Sequence, residues 1–339
     1  MNFKSLKSNL ADRLKHFDFK NFFLDHSYEI IAYLGFILCI IIFSILPPLI
    51  KGPNITFWRP VVLTTYLEQA TVYLILSMGA SFIYMMGCMD ISVGYQVGVL
   101  GTIFIVICNG CGSIIVALFT IIVVGMVCAV FNAFVGAYVK LPTVMSSVIL
   151  MQLFSGLMST LYTDSSLASY SLVQIDLSIV SSTWFRIVSL IVLIIISFYI
   201  LNFTKLGKRS KAIGANKQAA SQAGANLLVT RIWAYAVFSV FLCIAAIFLI
   251  ARKNGLGEAD ASSFQMDIMI MLLMGGMPLS GGMKGKLSNA IVGTLTYCVI
   301  DLGMAMCGVP AEYIYLVKSF IFVLIVVATC RKPGAVLPR

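Results

Sequence analysis

Long runs of apolar residues, separated by short polar segments, make up most of this chain. A run of about 20 apolar residues crosses a bilayer as an α-helix, because the helix makes all of its backbone hydrogen bonds internally. Ten runs can be placed, at residues 28–50, 61–86, 94–108, 113–138, 143–162, 184–202, 230–251, 264–280, 287–307 and 312–330. The pattern predicts an all-α membrane protein with about ten transmembrane helices in one domain, residues 28–330.

Composition supports lipid as the solvent of this domain. Of the 339 residues, 60% are hydrophobic and 11% are charged, whereas soluble domains carry about 25% charged residues. The net charge of +10 comes mostly from loops beside the apolar runs, a distribution that favours membrane orientation over nucleic-acid binding. We therefore expect membrane lipid, and no nucleic acid, among the partners.

The basic residues are biased towards one side of the predicted bundle. With ten spans and an inside N-terminus, the inner loops hold most of them, so both ends of the chain are predicted to be cytoplasmic. Residues 1–27 precede the first span, and their apolar positions recur at helical spacing: Phe3, Leu6, Leu10, Leu14 and Phe17. We expect this segment to lie along the inner membrane surface, and residues 331–339 to form a cytoplasmic tail.

The inner loop at residues 203–229 is basic and rich in alanine and glycine. Asn216 is a good N-cap, the residues from Lys217 to Ala223 favour helix, and Gly224 is a natural stop. Two helical turns are marginally stable alone in water, and their small side chains let another protein approach closely. The loop is predicted to be a docking helix.

Motifs for enzymatic or metal chemistry are weak. The pair Cys108 and Cys111 has CxxC spacing but lacks a second ligand pair, and both histidines, His16 and His26, precede the first span. The run from Gly281 to Lys286 resembles a phosphate loop but lacks the Ser or Thr that must follow the lysine. We expect no catalytic residue, metal site or cofactor, and ATP hydrolysis would require another chain.

The segment from Gly87 to Gly94 interrupts the apolar pattern with two glycines, a serine and an acid. It predicts a broken or short helix near 87–94, which is tolerated in a membrane only where it is buried or lines a cavity. Asp90 is interpreted first as the N-cap of the following helix. Direct contact with a transported solute is the alternative.

Three motifs in order along the chain resemble those of ribose- and galactose-type ABC importer permeases, relatives of the branched-chain amino-acid permeases. Residues 77–101 are similar to the G-x-D-L-S-V-G region of that family. Ala212 to Asn216, with the small residues that follow, resemble its cytoplasmic coupling loop, and Gly275 to Gly282 resemble its G-G-x-x-L-S-G-G segment. The resemblance covers roughly residues 60–330.

The resemblance implies a type II-like permease subunit in the bacterial cytoplasmic membrane, usually a dimer of identical or paralogous copies. Its implied partners are a cytoplasmic ABC ATPase and an extracytoplasmic solute-binding protein. The implied solute is a monosaccharide, with nucleosides or branched-chain amino acids as alternatives. The residues implied to dock into a groove on the ATPase are Gly214, Asn216, Ala219, Ala220 and Gly224, and Gly281, Gly282 and Gly285 would shape the turn between two spans.

Polar residues within the spans are costly and are therefore candidates for the translocation pathway. The candidates are Asp90, Ser92, Tyr73, Asn132 and Gln152. Lys318 is expected to pair with Asp301 because their spans are sequential and antiparallel, whereas Glu68 and Asp267 are interpreted as lying near span ends. If these acids instead form a coupling-ion site, the alternative is a secondary transporter or channel that needs no ATPase.

Overall fold

The computed structural model describes residues 27–138, 143–163, 169–171, 176–257, 260, 264–278, 281–283 and 285–330. These residues form thirteen helices and one two-stranded sheet. The elements are α1 (Ser27–Lys51), α2 (Pro60–Tyr84), α3 (Val93–Cys111), α4 (Ile114–Tyr138), α5 (Thr143–Thr163), β1 (Ser169–Ser171), α6 (Ser178–Ser181), α7 (Thr183–Phe203), α8 (Lys205–Ala215), α9 (Lys217–Gln222), α10 (Leu227–Lys253), β2 (Gly255–Gly257), α11 (Phe264–Met274), α12 (Leu287–Met306) and α13 (Ala311–Cys330). The predicted N-terminal segment, up to residue 26, and the tail at 331–339 lie outside the described residues.

Each of the ten predicted runs contains a helix. Within the described residues, eight helices are long and apolar enough to cross a membrane, so the chain is a multi-pass membrane protein. The prediction for residues 264–280 was too long, since α11 has 11 residues. It ends at Met274 because Gly275, Gly276 and Pro278 follow, and none of these favours continuation of a helix.

Helix α10 lies at the centre of the bundle, against α2, α3 and α4. Close packing depends on glycines in its neighbours: a β-carbon at Gly79 would lie 2.6 Å from Phe241 Cβ, and one at Gly125 would lie 2.8 Å from Ser239 Oγ. Helices α1, α4 and α7 instead leave many large apolar side chains exposed. An exposed apolar surface of this extent suits contact with lipid or with another membrane-embedded chain.

A second group of helices is formed around α12, which packs against α1, α2, α11 and α13. Helices α11 and α12 approach at backbone distance, because a β-carbon at Gly275 would overlap the Asn289 carbonyl oxygen and one at Gly293 would overlap that of Met271. Small residues allow this type of crossing between membrane helices. The crossing fixes the short helix α11 against a full-length neighbour.

The two-stranded sheet is a small departure from the predicted all-α fold. Strand β1 pairs antiparallel with β2, so that Tyr170 lies opposite Leu256. The Tyr162 hydroxyl donates to the Leu256 carbonyl oxygen at 2.8 Å. Backbone groups outside the helices need partners, and here two short extended segments supply them to each other. The sheet thereby connects the loop after α5 to the end of α10.

Candidate coupling and translocation site

A helix, α9, is present at the position where the docking helix was predicted, and the longer helix α8 precedes it. The Asn216 side-chain oxygen accepts from the backbone nitrogens of Gln218 (3.0 Å) and Ala219 (3.1 Å), which confirms the predicted N-cap. Gly224 has φ +83° and ends the helix, as predicted. Helix α9 has six residues, slightly fewer than the predicted two turns.

One face of α9 is exposed and the other packs on the protein itself. Asn216, Ala219 and Gly224 are exposed, together with the polar side chains of Lys217, Gln218, Ser221 and Gln222. Ala220 is only 6% exposed and belongs to the hydrophobic core. Of the residues expected to dock, Ala220 therefore holds α9 in place, and the exposed face is formed by its neighbours.

Gly214, near the end of α8, touches two distant turns of the chain. A β-carbon at Gly214 would overlap the Met85 carbonyl oxygen and would lie 2.5 Å from the Gly282 nitrogen. The Gly282 nitrogen itself donates to the Met85 carbonyl oxygen at 2.9 Å. Gly281 and Gly282 have φ +72° and +103°, and these positive values are favourable only for glycine. The three motifs singled out in the sequence thus meet at one end of the molecule.

The turn at Met85 leads directly into a buried polar cluster around Asp90. The Asp90 carboxylate accepts from the backbone nitrogen of Ser92 (2.8 Å), the Ser92 hydroxyl and Asn132 Nδ2 (2.6 Å). Gln96 Nε2 lies 3.5 Å from the same carboxylate and donates to Ser92 Oγ at 2.6 Å. All four side chains are at most 5% exposed. The cluster joins the connection before α3 to helix α4.

One prediction about this segment needs correction. The N-cap position of α3 is Ser92 rather than Asp90, because Asp90 accepts from the Ser92 nitrogen just before the helix begins. The predicted interruption is present: residues 85–92 form a mostly buried, non-helical segment between helices of 25 and 19 residues. Burial raises the pKa of the Asp90 carboxyl, and the hydrogen bonds from Ser92, Asn132 and Gln96 offset part of that rise.

A second polar cluster lies near the middle of α2, at Gln69 and Tyr73. Lys318 Nζ is 2.5 Å from Asp301 Oδ1, which confirms the predicted pair, and it also donates to the Tyr297 hydroxyl at 2.5 Å. Asp267 Oδ1 lies 4.0 Å from the same nitrogen. Gln69 donates to Asp301 at 2.6 Å, and the Tyr73 hydroxyl lies 3.2 Å from Asp267. Each charged group of this cluster has a partner of opposite charge.

The two acids expected near span ends, Glu68 and Asp267, differ in how far they are exposed. Asp267 is in the first turn of α11, near the end of its helix as expected, but it is only 4% exposed. It lies inside the bundle, beside Tyr73 and Tyr297. Glu68 is partly exposed and pairs with Arg186 of α7 at 2.8 Å.

The five candidate pathway residues separate into three places. Asp90, Ser92 and Asn132 come together in the first cluster, which the sequence suggested only in part. Tyr73 lies in the second cluster, and Gln152 is exposed on α5. Sequence reasoning missed Gln96, although its spacing of four residues from Ser92 places the two on one helix face. Sequence reasoning also missed Tyr297, which contacts Lys318 and lies one helical turn before Asp301.

The comparison with known protein families agrees with the family resemblance of the three motifs. A family model described as "Branched-chain amino acid transport system / permease component" matches residues 62–326. The chain belongs to this permease family. The matched range begins in α2 and ends in α13, so it contains the residues of both polar clusters and of α8 and α9.

Several curated permeases are similar to this family member along most of their length. The ribose import permease protein RbsC of Escherichia coli K12 is 22% identical over 277 residues, which is 78% of this chain and 84% of the relative. RbsC of Bacillus subtilis is 24% identical over 313 residues, 89% of this chain and 92% of the relative. The autoinducer 2 import system permease protein LsrC of Salmonella paratyphi B is 25% identical over 257 residues, which is 74% of this chain and 72% of the relative. No solved structure matches the permease at a significant level.

Proposed function

We propose that this permease is the membrane subunit of an ATP-driven ABC importer for a monosaccharide in the bacterial cytoplasmic membrane. The similarity to permeases named for ribose import, over most of their length, supports the direction of transport and the class of solute. The solute would be delivered by an extracytoplasmic binding protein. The concentration of basic residues in and beside α8 and α9 supports a cytoplasmic position for that end of the molecule.

One observation carries the proposal: the exposed helix α9 is joined, through α8, to the two turns that end α2 and precede α12. Gly214 touches both the Met85 carbonyl oxygen and the Gly282 nitrogen. No flexible loop separates this contact from α9, because α9 follows α8 directly at Asn216. A protein that moved α9 would therefore move both turns, and with them the ends of two core helices.

The partner expected at α9 is an ABC ATPase. The chain carries no complete phosphate loop, so ATP would be hydrolysed by a separate subunit. The small side chain of Ala219 and the absence of acidic residues from α9 suit a partner groove that approaches closely. A second permease copy is the proposed partner within the membrane.

The second cluster favours ATP-driven transport over an ion-coupled mechanism. Asp267 and Asp301 both lie within 4.0 Å of the Lys318 ammonium group. A coupling cation bound by these carboxylates would have to displace that group or be repelled by it. The acids that the alternative requires are therefore already neutralised in part by the protein.

Affinity purification of the full chain from its own membranes tests the proposal. We expect an ABC ATPase subunit to co-purify with the wild-type permease and to hydrolyse ATP. Ala219→Trp should reduce the retained ATPase at least tenfold, because a large indole would block close approach. Ala311→Trp is the matched control, since Ala311 is exposed at the opposite end, at the start of α13. Equal retention of the ATPase by both variants would contradict the proposal.

A further inference from the structure

Arg231, near the start of α10, is a buried cation that lacks a counter-ion among the described residues. It is 8% exposed, and its Nε and Nη2 atoms make no hydrogen bond in the part of the chain that the structure describes. Its Cζ atom lies 5.7 Å from the centroid of the Tyr235 ring, a cation–π contact that compensates only part of the desolvation. A buried guanidinium with two unused donors indicates a second position in which those donors are used.

The guanidinium lies against one face of α4. A β-carbon at Gly136 would overlap Arg231 Nη2 and would lie 2.6 Å from Cζ. Gly136 is four residues after Asn132 on the same helix, so the two positions share a face and their β-carbon positions are roughly 6 Å apart. Arg231 is therefore about one helical turn from the Asp90 cluster.

Asn132 has a buried acceptor atom without a donor, the complement of the unused donors of Arg231. Its Nδ2 donates to Asp90, which fixes the orientation of the amide because a carboxylate only accepts. Its Oδ1 is buried and has no hydrogen-bond partner in the described residues. A donor without an acceptor and an acceptor without a donor thus lie one turn apart on the same face of α4.

The surroundings connect Arg231 with both the Asp90 segment and α9. Burial raises the pKa of the Cys88 thiol, and the Arg231 guanidinium opposes part of that rise, which places the cation near the segment that leads to Asp90. Helix α10 begins at Leu227, capped by the Asn226 side chain at 3.1 Å from the Val229 nitrogen. Arg231 is in the second turn of this helix, shortly after α9, and would move with it.

We propose that Arg231 is a positioning residue whose guanidinium can occupy two places along the surface of α4. In the second conformation of the permease, its guanidinium moves about one turn along α4 and donates to Asn132 Oδ1, so that the cation is linked through the amide to the Asp90 carboxylate. The proposal rests on the proposed function only in that a partner bound at α9 would drive the movement.

A double-mutant cycle in the purified full chain, in lipid nanodiscs without any ATPase, tests the proposal. Asn132→Asp places a carboxylate where Arg231 would arrive. We expect this change to lower the melting temperature at least about 3 °C more in the Arg231→Gln background than with Arg231 present. Arg231→Gln alone should leave the melting temperature unchanged or raise it, because it removes a buried charge that the Tyr235 ring compensates only in part.

Amide hydrogen exchange of residues 85–92 is a second measurement, and it should not change if Arg231 has only a structural role. Asn132→Asp should raise this exchange at least twofold more in the Arg231→Gln background than with Arg231 present, because Arg231 would neutralise the new carboxylate beside Asp90. Arg231→Lys keeps the charge and should retain part of the effect, while Arg252→Gln, on the same helix, should not alter it. Additive melting shifts, or identical exchange in all variants, would overturn the proposal.

Because no ATPase is present, the outcome for Arg231 is independent of whether α9 docks one. If Arg231→Gln gives no folded protein, Arg231 is a structural residue and the proposal is overturned. If the cycle succeeds while Ala219→Trp retains its ATPase, the movement of Arg231 is real and the proposed function fails instead.

Discussion

The permease contains two buried polar clusters that differ in how completely their groups are paired. In the cluster of Lys318, Asp301, Asp267, Tyr297, Tyr73 and Gln69, each charged group contacts an opposite charge. In the cluster of Asp90, Ser92, Gln96 and Asn132, the Asn132 oxygen is unused, and a buried arginine with two unused nitrogens lies one turn away. Both clusters connect helices, but only in the cluster around Lys318 does every charged group contact an opposite charge. We call this cluster saturated.

This difference indicates different mechanical roles. A saturated ionic cluster inside a membrane resists separation of its helices, since any movement would expose a charge to a medium of low polarity. The cluster around Lys318 connects α2, α11, α12 and α13 in this way. Unused donors and acceptors beside α8 to α10 leave an alternative arrangement available. The cluster around Lys318 therefore lies away from α9, whereas the cluster around Asp90 follows the turn at Met85 that α8 contacts.

The largest effect is expected when the saturated cluster loses its cation. Lys318→Met leaves two carboxylates close together without a counter-ion, and removing one partner of a buried pair costs about 3–5 kcal/mol of folding free energy. We expect little folded protein, measured as the monodisperse yield in detergent and the melting temperature of what remains. The charge-matched control is Lys318→Met combined with Asp301→Asn, which should recover much of the yield. If the single and double variants behave alike, this cluster is not held by its charges.

A moderate effect is expected where α8 meets the two turns. Gly214→Ala inserts a methyl group that would overlap the Met85 carbonyl oxygen, and overpacking of this kind costs about 1–3 kcal/mol. The contact between α8 and the turns should loosen, so ATP hydrolysis by the assembled complex should become less dependent on solute while ATPase binding persists. Gly110→Ala, which meets nothing within 4 Å, is the control. A Gly214→Ala variant with unaltered coupling would show that α8 does not transmit movement.

The smallest effect is expected at the cap of α9. Asn216→Ala removes the acceptor for the Gln218 and Ala219 nitrogens and should destabilise α9 by about 1 kcal/mol. Since α9 is only six residues long, this should raise amide exchange locally, at residues 217–222, with little change in the melting temperature. Asn216→Ser keeps an acceptor and should leave the exchange nearly normal. Equal exchange in the two variants would mean that packing of Ala220, rather than the cap, maintains the helix.

Local features of this permease could be predicted from sequence and distant contacts could not. Apolar runs located the helices, and the cap at Asn216 and stop at Gly224 follow from chemistry within a few residues. The Lys318–Asp301 pair was predictable because its helices are sequential and antiparallel. The burial of Asp267 was not, since its partners Lys318 and Tyr73 lie on other helices, distant in sequence.

The same limit applies at the candidate site. Gly214, Met85 and Gly282 lie far apart in sequence, and no periodicity relates them, so their contact had no local signal. Arg231 is at the edge of an apolar run, where a cation ordinarily reaches water. Its burial depends on Gly136 of another helix, which leaves room for the guanidinium.

The central claim is that the exposed face of α9 contacts an ABC ATPase, and site-specific photo-cross-linking tests it most directly. A photoreactive side chain at position 219, in the intact membrane, is predicted to form a covalent adduct with the ATPase subunit. The same group at position 311, on the opposite end, should form none. Absence of the adduct at position 219 with normal transport, or equal adducts at both positions, would contradict the account.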